Sequence, residues 1–368
     1  MKFICNTEEL SNALSTVSKA ISAKPNIPIL EGIKLSVEGD TVTLTATDLE
    51  LFIETKIKAT VKIEGDCVVT GKFLNEFVKK LTYLDEIELE KLGNTISIRY
   101  GENETEIQCL EEDTYPEIRK VSDDIYMKVK QGNLKDAVDA ISYCVAQDDT
   151  HPILKGILLD LKGEELTAVA LDGYRLGYAK CAVTDSSTES YKIIIAGRTL
   201  SEIAKILEEG DEIVKITMQK NIVLFDLGNT VITTRLIDGD FIDYKKLIPA
   251  TYTTHVTLEK DKFISGLDRA SLVARKQKHN YLKLSISGNV IEINSTSDIG
   301  KIRETVNCVL EGKELDIAFN SRFLSDALSK IREDFIDVKF SGATSPTIIV
   351  PKEGDKFLYM VLPIRMLG

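Results

Sequence analysis

No apolar run in this chain approaches the roughly 20 residues needed to span a bilayer, so a membrane helix is not expected. The opening Met1-Lys2-Phe3-Ile4-Cys5-Asn6 turns polar at once, unlike a signal peptide. The six cysteines, at positions 5, 67, 109, 144, 181 and 308, include no C-x-x-C pair. Their mostly apolar neighbours mark them as reduced, buried, small hydrophobes of a cytoplasmic protein, not as a disulfide frame or a metal site. The three histidines (His151, His255 and His279) lie far apart, and none shares a helix with a carboxylate at ligand spacing. Neither G-x-S-x-G nor G-x-G-x-x-G occurs. The run from Gly65 to Phe73 resembles a phosphate loop. It has one residue too many between its glycines, and Phe73 stands where Mg²⁺ needs a hydroxyl. No catalytic residue, cofactor or metal is expected.

What the chain does have is repetition. One pattern runs through its 368 residues three times. Each copy begins with an amphipathic helix: Leu10, Ala13, Leu14 and Val17 in the first, Leu134, Ala137, Val138 and Ile141 in the second, Phe263, Leu267 and Ala270 in the third. A second helix follows a short apolar strand: Phe73, Leu74, Phe77, Val78 and Leu81, then Leu200, Ile203, Ala204 and Leu207, then Phe323, Leu324, Ala327, Leu328 and Ile331. These second helices recur about 125 residues apart, the size of an ordinary domain and too long for a solenoid repeat.

Between the helices the pattern alternates as β-strands do. Lys34 to Glu38 and Thr41 to Thr45 flank the turn Glu38-Gly39-Asp40, and Lys162-Gly163-Glu164 and Ser287-Gly288-Asn289 mark the same hairpin in the later copies. Each copy reads as two βαβββ-like halves with both helices on one face of antiparallel sheet, an α+β class. Pro116 and Pro249 fall at copy ends, which places the domains at 1–122, 123–252 and 253–368. A row of three such domains leaves a sheet edge open at each end. Copies joined head to tail with constant rotation close into a ring or grow into a filament.

The net charge is −12, which taken alone argues against tight binding to nucleic acid. The distribution says more. Lys and Arg gather on or beside the helices, and acidic residues cluster in turns such as Glu208-Glu209 and Asp211-Glu212. Ordinary solvated helix faces would also account for this.

Several segments together resemble the bacterial sliding clamps, the β subunits of DNA polymerase III. They are Pro25 to Leu30, Ala46 to Glu50, His151 to Gly156, Leu171 to Leu176, and Val361 to Arg365. The likeness runs through all three copies in order. It implies the DNA clamp fold, with each chain forming half of a closed ring around double-stranded DNA, bound without regard to sequence. By resemblance Lys24, Lys72, Lys79, Lys80, Arg198 and Lys205 line the hole, and His151 sits at a DNA-proximal position. A partner-peptide pocket would take one wall from Leu171, Gly173, Tyr174, Arg175 and Leu176. Matching positions add Leu154, Ile242, Lys246, Leu247, His279, Asn320, Phe323, Thr344 and Pro346. The tail adds Met360, Val361, Leu362, Pro363, Ile364, Arg365 and Met366. Without the resemblance Asp172-Gly173 is a plain hairpin turn. Leu272 and Val273 match the family's apolar contact in the head-to-tail homodimer; ordinary core is the alternative.

The resemblance further implies a non-enzymatic processivity factor that tethers the replicative polymerase, clamp loader and repair proteins through short hydrophobic peptides. The chain departs from the family pattern at Tyr174, where His is common, at Ile242, where Pro is common, and in a tail that is not Met-rich. These departures are expected to reshape the pocket. Two other classes fit the bare repeat: a hydrolase or transferase with a site between copies, and a scaffold that binds peptides but not DNA.

Overall fold

A computed structural model describes residues 1–22, 27–111, 114–117, 125–148, 150–276 and 280–365. Copy one runs β1 (Lys2–Asn6), α1 (Thr7–Val17), β2 (Gly32–Glu38), β3 (Thr41–Thr47), β4 (Leu51–Lys58), β5 (Thr60–Ile63), β6 (Gly65–Thr70), α2 (Gly71–Val78), β7 (Glu86–Leu92), β8 (Thr95–Tyr100) and β9 (Asn103–Leu110). Copy two runs β10 (Ile125–Lys130), α3 (Gln131–Ile141), β11 (Gly156–Lys162), β12 (Glu165–Leu171), β13 (Arg175–Ser186), β14 (Ser190–Ala196), α4 (Gly197–Ala204), β15 (Ile213–Gln219), β16 (Ile222–Asp226) and β17 (Thr230–Arg235). Copy three runs β18 (Thr254–Glu259), α5 (Lys260–Ala274), β19 (Tyr281–Ser287), β20 (Val290–Ser297), β21 (Gly300–Gly312), β22 (Leu315–Asn320), α6 (Ser321–Leu328), β23 (Phe335–Phe340), β24 (Thr347–Pro351) and β25 (Phe357–Val361). The three expected copies of a two-helix, antiparallel-sheet domain are therefore present.

Within each copy the two halves exchange their first strands. In copy one β2 pairs with β3 and with β6, while β1 pairs with β7 at the head of the β7–β8–β9 meander. Copy three repeats this with β19 against β20 and β22, and β18 against β23. Neighbouring copies are then joined edge to edge. β4 pairs antiparallel with β17, placing Ile53 opposite Ile232, and β13 pairs with β25, placing Gly177 opposite Tyr359.

The chain forms two compact units. One is Met1–Gln131 with Thr184–Thr188 and Lys205–Leu236; the other is Gly132–Val183 with Glu189–Ala204 and Ile237–Gly368. Copy two is shared between them. The ladders explain the division, because β17 is tied to β4 in the first unit and β13 to β25 in the second.

The helix stripes bury as the periodicity predicts. Leu10, Leu14, Leu134, Val138, Leu267 and Ala270 are fully buried, as are Leu74, Leu200 and Ala327 on the second helices. Phe73 departs from this most, at 49% exposed, and Phe77 and Phe323 are half-buried. Phe73 sits about 100° around α2 from the Leu74–Val78 stripe. All six cysteines are free and buried, and burial pushes the Cys5, Cys144 and Cys181 thiols up to about 12, which keeps them protonated and inert.

Two glycines fix the start of a strand at equivalent places. Gly32 and Gly156 each follow a Pro-led 3-10 turn, Pro28–Glu31 and Pro152–Lys155. A Cβ on Gly32 would stand 2.4 Å from Val68 Cγ1, and one on Gly156 would stand 2.4 Å from Ile194 Cγ2. The carbonyl oxygens of Ile29 and Ile153 crowd the same points at 3.0 and 3.2 Å. Gly156→Ala is expected to destabilise its unit by about 1–3 kcal/mol, read as a lower denaturation midpoint. An unchanged midpoint would mean that the turn can shift.

Candidate functional site

The residues from Leu171 to Leu176, predicted as one wall of a pocket, form a hairpin tip between β12 and β13. Asp172 N donates to Arg175 O at 3.2 Å, and Asp172 Oδ1 accepts from Tyr174 N and Arg175 N at 2.9 and 3.0 Å. Gly173 takes φ +87°, which suits a residue without a Cβ. Leu171 faces Leu176 across the ladder.

Arg175 projects from this turn into a closed set of contacts. Its Nε donates to Asp172 Oδ2 at 2.9 Å, and a terminal nitrogen donates to Asp326 Oδ2, on α6, at 2.6 Å. The guanidinium carbon lies 4.8 Å from the Phe323 ring centroid and 5.0 Å from that of Tyr143. Only 10% of the side chain is exposed. Burial acts first, against the charge, but the bonds to Asp326 and Asp172 outweigh it and hold the guanidinium above its ordinary pKa. Arg175 therefore ties the hairpin to α6, and its charge is already neutralised.

The rest of the predicted wall assembles around it. Tyr174, 62% exposed, stacks on Phe323 with centroids 5.8 Å apart. Leu362 N donates to Tyr174 O at 2.9 Å and Ile364 N to Ala318 O at 2.8 Å, which stitches the tail residues Val361 to Ile364 between hairpin and β22. Leu154, Leu171, Leu176 and Met360 share one buried cluster with Tyr244. Tyr244 opens a 3-10 turn, Tyr244–Leu247, which leaves Ile242 and Leu247 exposed beside it. Lys246 pairs with Asp243 at 3.0 Å. Asn320 caps α6 by accepting from Arg322 N. Thr344 and Pro346 precede β24, whose Thr347 pairs with Val361, and Arg365 is exposed. His279 and Met366 lie outside the described residues.

Tyr143 and Asp326 complete this network and were not foreseen. The Asp172–Arg175 pair was open to inference, being three residues apart; Asp326 is 151 residues from Arg175. Only the fold brings it there.

The predicted cations divide. Lys72, Lys79, Lys80 and Arg198 are exposed on or just behind the second helices, with no ion-pair partner among the described residues. Lys205 and His151 are also exposed, and Lys24 lies outside the described residues. Other helix cations are engaged. Arg269 binds Glu304 through two nitrogens at 2.9 and 2.6 Å, and Arg332 binds Asp136 through two at 3.2 and 2.8 Å. Leu272 on α5 is 62% exposed, so it is not core, and Val273 is half-buried.

Three tandem two-helix domains joined through antiparallel edges are the architecture of the DNA clamps. Family models of the DNA polymerase III beta subunit match the chain in three parts: the N-terminal domain over residues 1–119, the central domain over 128–243 and the C-terminal domain over 245–365. A Staphylococcus epidermidis beta sliding clamp is 34% identical over 376 aligned residues, covering 99% of each chain. The crystal structure of the Bacillus subtilis DNA polymerase sliding clamp superposes with a TM-score of 0.95 at 32% identity, covering 100% of both chains. That of the Thermotoga maritima DNA polymerase III beta subunit gives 0.93 at 29%, with the same coverage. The chain belongs to the DNA polymerase III beta subunit family, as a non-catalytic sliding clamp of DNA replication. No helix among the described residues is long and apolar enough to cross a membrane.

Proposed function

We propose that two copies of this chain close head to tail into a ring around duplex DNA, and that the ring tethers a replicative polymerase through the apolar site described above. The observation that carries the reading is an unmatched pair of edges. β4 takes β17 and β13 takes β25. By the same rule β21, the counterpart of β4 and β13, should take the last strand of another copy, and β9 is the strand of that kind left over. Their union sets Ile302 opposite Thr105 of a second copy.

Side chains support the same closure. Where copies two and three meet, Tyr143 and Phe323 flank the Arg175 guanidinium. In the repeat, Leu272 occupies the position of Tyr143 and Phe73 that of Phe323. Both are exposed apolar residues, and Phe73 stacks on Phe77 at 5.9 Å. An isologous pair of such contacts, Leu272 and Val273 against the α2 aromatics, would hold the dimer. Domain limits at 1–122, 123–252 and 253–368 suit this arrangement.

Lys24, Lys72, Lys79, Lys80, His151, Arg198 and Lys205 would face the phosphates, whose contacts are sequence-blind and permit sliding. The partner's hydrophobic end would lie over Leu154, Leu171 and Leu176, between Ile242 with Leu247 and the tail. A clamp loader and repair proteins would use the same site, in the cytoplasm. Tethering acts as effective concentration: a weak contact on a trapped ring keeps the polymerase near its template.

The test is retention after loading, at moderately high salt, on circular against linearised DNA. Retention on circles with loss from linear ends is expected; equal loss from both would refute topological linkage. Arg175→Ala should weaken binding of a hydrophobic partner peptide roughly ten-fold or more while the dimer persists. Unchanged affinity would remove this wall from the site. Leu272→Glu should shift sedimentation toward the monomer, and a variant still dimeric at low concentration would disprove the interface.

A further inference from the structure

Beside the apolar site lies a face of copy two whose charge is reversed relative to the other copies. In copies one and three, Ser36 stands opposite Asp66 and Ser285 opposite Asp316 on paired strands. Each aspartate is met by a lysine two residues before the serine: Lys34 at 3.4 Å and Lys283 at 2.7 Å. Copy two carries Asp160 opposite Lys192, and the buried Leu158 replaces the lysine. The copy that holds the hairpin wall is thus the one that presents a lysine where its siblings present an aspartate.

Two more lysines converge there. Lys162 lies two residues beyond Asp160 on the same strand face, with Nζ 3.8 Å from Asp160 Oδ2. Lys245 sits on the 3-10 turn that also carries Leu247, beside Tyr244, whose hydroxyl is 3.5 Å from Asp160 Oδ2. Lys162 is close enough to Lys245 to hold its ammonium below the usual lysine range. Three exposed lysines thus surround one carboxylate that is 2% exposed. Two of the acids nearby are engaged by other lysines. Glu165, opposite Lys162 in the ladder, binds Lys180 at 3.1 Å, and Asp243 binds Lys246. Crowded like charges of this kind are stabilised by an anion.

We propose that Lys162, Lys192 and Lys245 form a docking face for an acidic segment of the same partner polypeptide whose hydrophobic end fills the adjoining apolar site. The inference rests on the proposed peptide site, and continuity with it together with the charge identifies the occupant: Lys245 and Leu247 share one helical turn, so the lysines adjoin the apolar surface and call for an acidic extension of the same chain. The interaction adds affinity at low salt and discriminates between partners with similar hydrophobic ends.

The experiment uses the full-length protein and two fluorescein-labelled synthetic peptides. Both carry one leucine- and phenylalanine-containing end; one is extended by four glutamates and the other by four serines, with the extension tried on either end. The glutamate peptide is expected to bind roughly three- to ten-fold tighter at low salt, with the advantage shrinking as salt rises. The double variant Lys162→Glu, Lys245→Glu should remove that advantage and leave the affinity for the serine peptide unchanged. Equal affinity of the two peptides, or an advantage that persists in the double variant, overturns the charged face alone. Failure of both peptides to bind wild-type protein overturns the apolar site beneath it.

Discussion

Unpaired β-edges constrain this molecule more than any other feature. An exposed strand offers a row of N–H and C=O groups that will pair with any extended chain. Here the edges are used to join copies: β4 is closed by β17 and β13 by β25. Each junction is a continuous antiparallel ladder, and the compact units divide copy two between them. Among the described residues, β21 and β9 then carry edges of complementary kind, and the proposed dimer would join them.

The junctions share a backbone frame and differ in side chains, and that difference supports the proposal that one of them is a site. In copy one the hairpin Asp48–Leu51 repeats the Asp172–Arg175 turn: Asp48 Oδ1 accepts from Glu50 N and Leu51 N at 3.0 and 2.8 Å, and Leu49 takes φ +78°. Arg235 N donates to Glu50 O at 3.3 Å, where Leu362 N donates to Tyr174 O in the other junction. Copy two has Tyr174 and Arg175 where copy one has Glu50 and Leu51, and the tail supplies Leu362 where β17 ends in Arg235. Exposed charged residues at that point, Glu50 and Arg235, keep water on the surface. An aromatic ring stacked on Phe323 and a neutralised guanidinium leave an apolar one.

The sequence made the frame legible because the frame rests on short-range signals. Helix stripes of period 3.6, strands of period 2 and Gly turns recur at matching offsets, so the α+β class and the three copies could be read directly. The family likeness supplied the wall residues, and the structure brings Leu154, Leu171, Leu176 and Met360 into one cluster. Long-range pairing was not legible. Nothing local ties Asp326 or Tyr143 to Arg175, so the sequence placed Arg175 in the wall without showing that its Nε and a terminal nitrogen are engaged within the fold. Phe73 read as core, because a helix of eight residues bearing two phenylalanines fits more than one stripe. The cations on α5 and the end of α6 could not be sorted from sequence, since Arg269 and Arg332 find their acids on other elements.

The net charge of −12 is consistent with binding by topology in place of affinity. A chain that gripped duplex DNA by charge alone would release counterions at every contact and would cling wherever DNA touched it. With a few exposed cations left unpaired on the second helices and others, such as Arg269 and Arg332, neutralised within the fold, attraction to phosphate stays weak and local. Weak contacts would let the proposed ring move, and closure would supply the persistence that affinity does not. The same logic suits the apolar site. In the proposed ring, a partner held by a small hydrophobic contact would exchange quickly while its effective concentration at the template stays high.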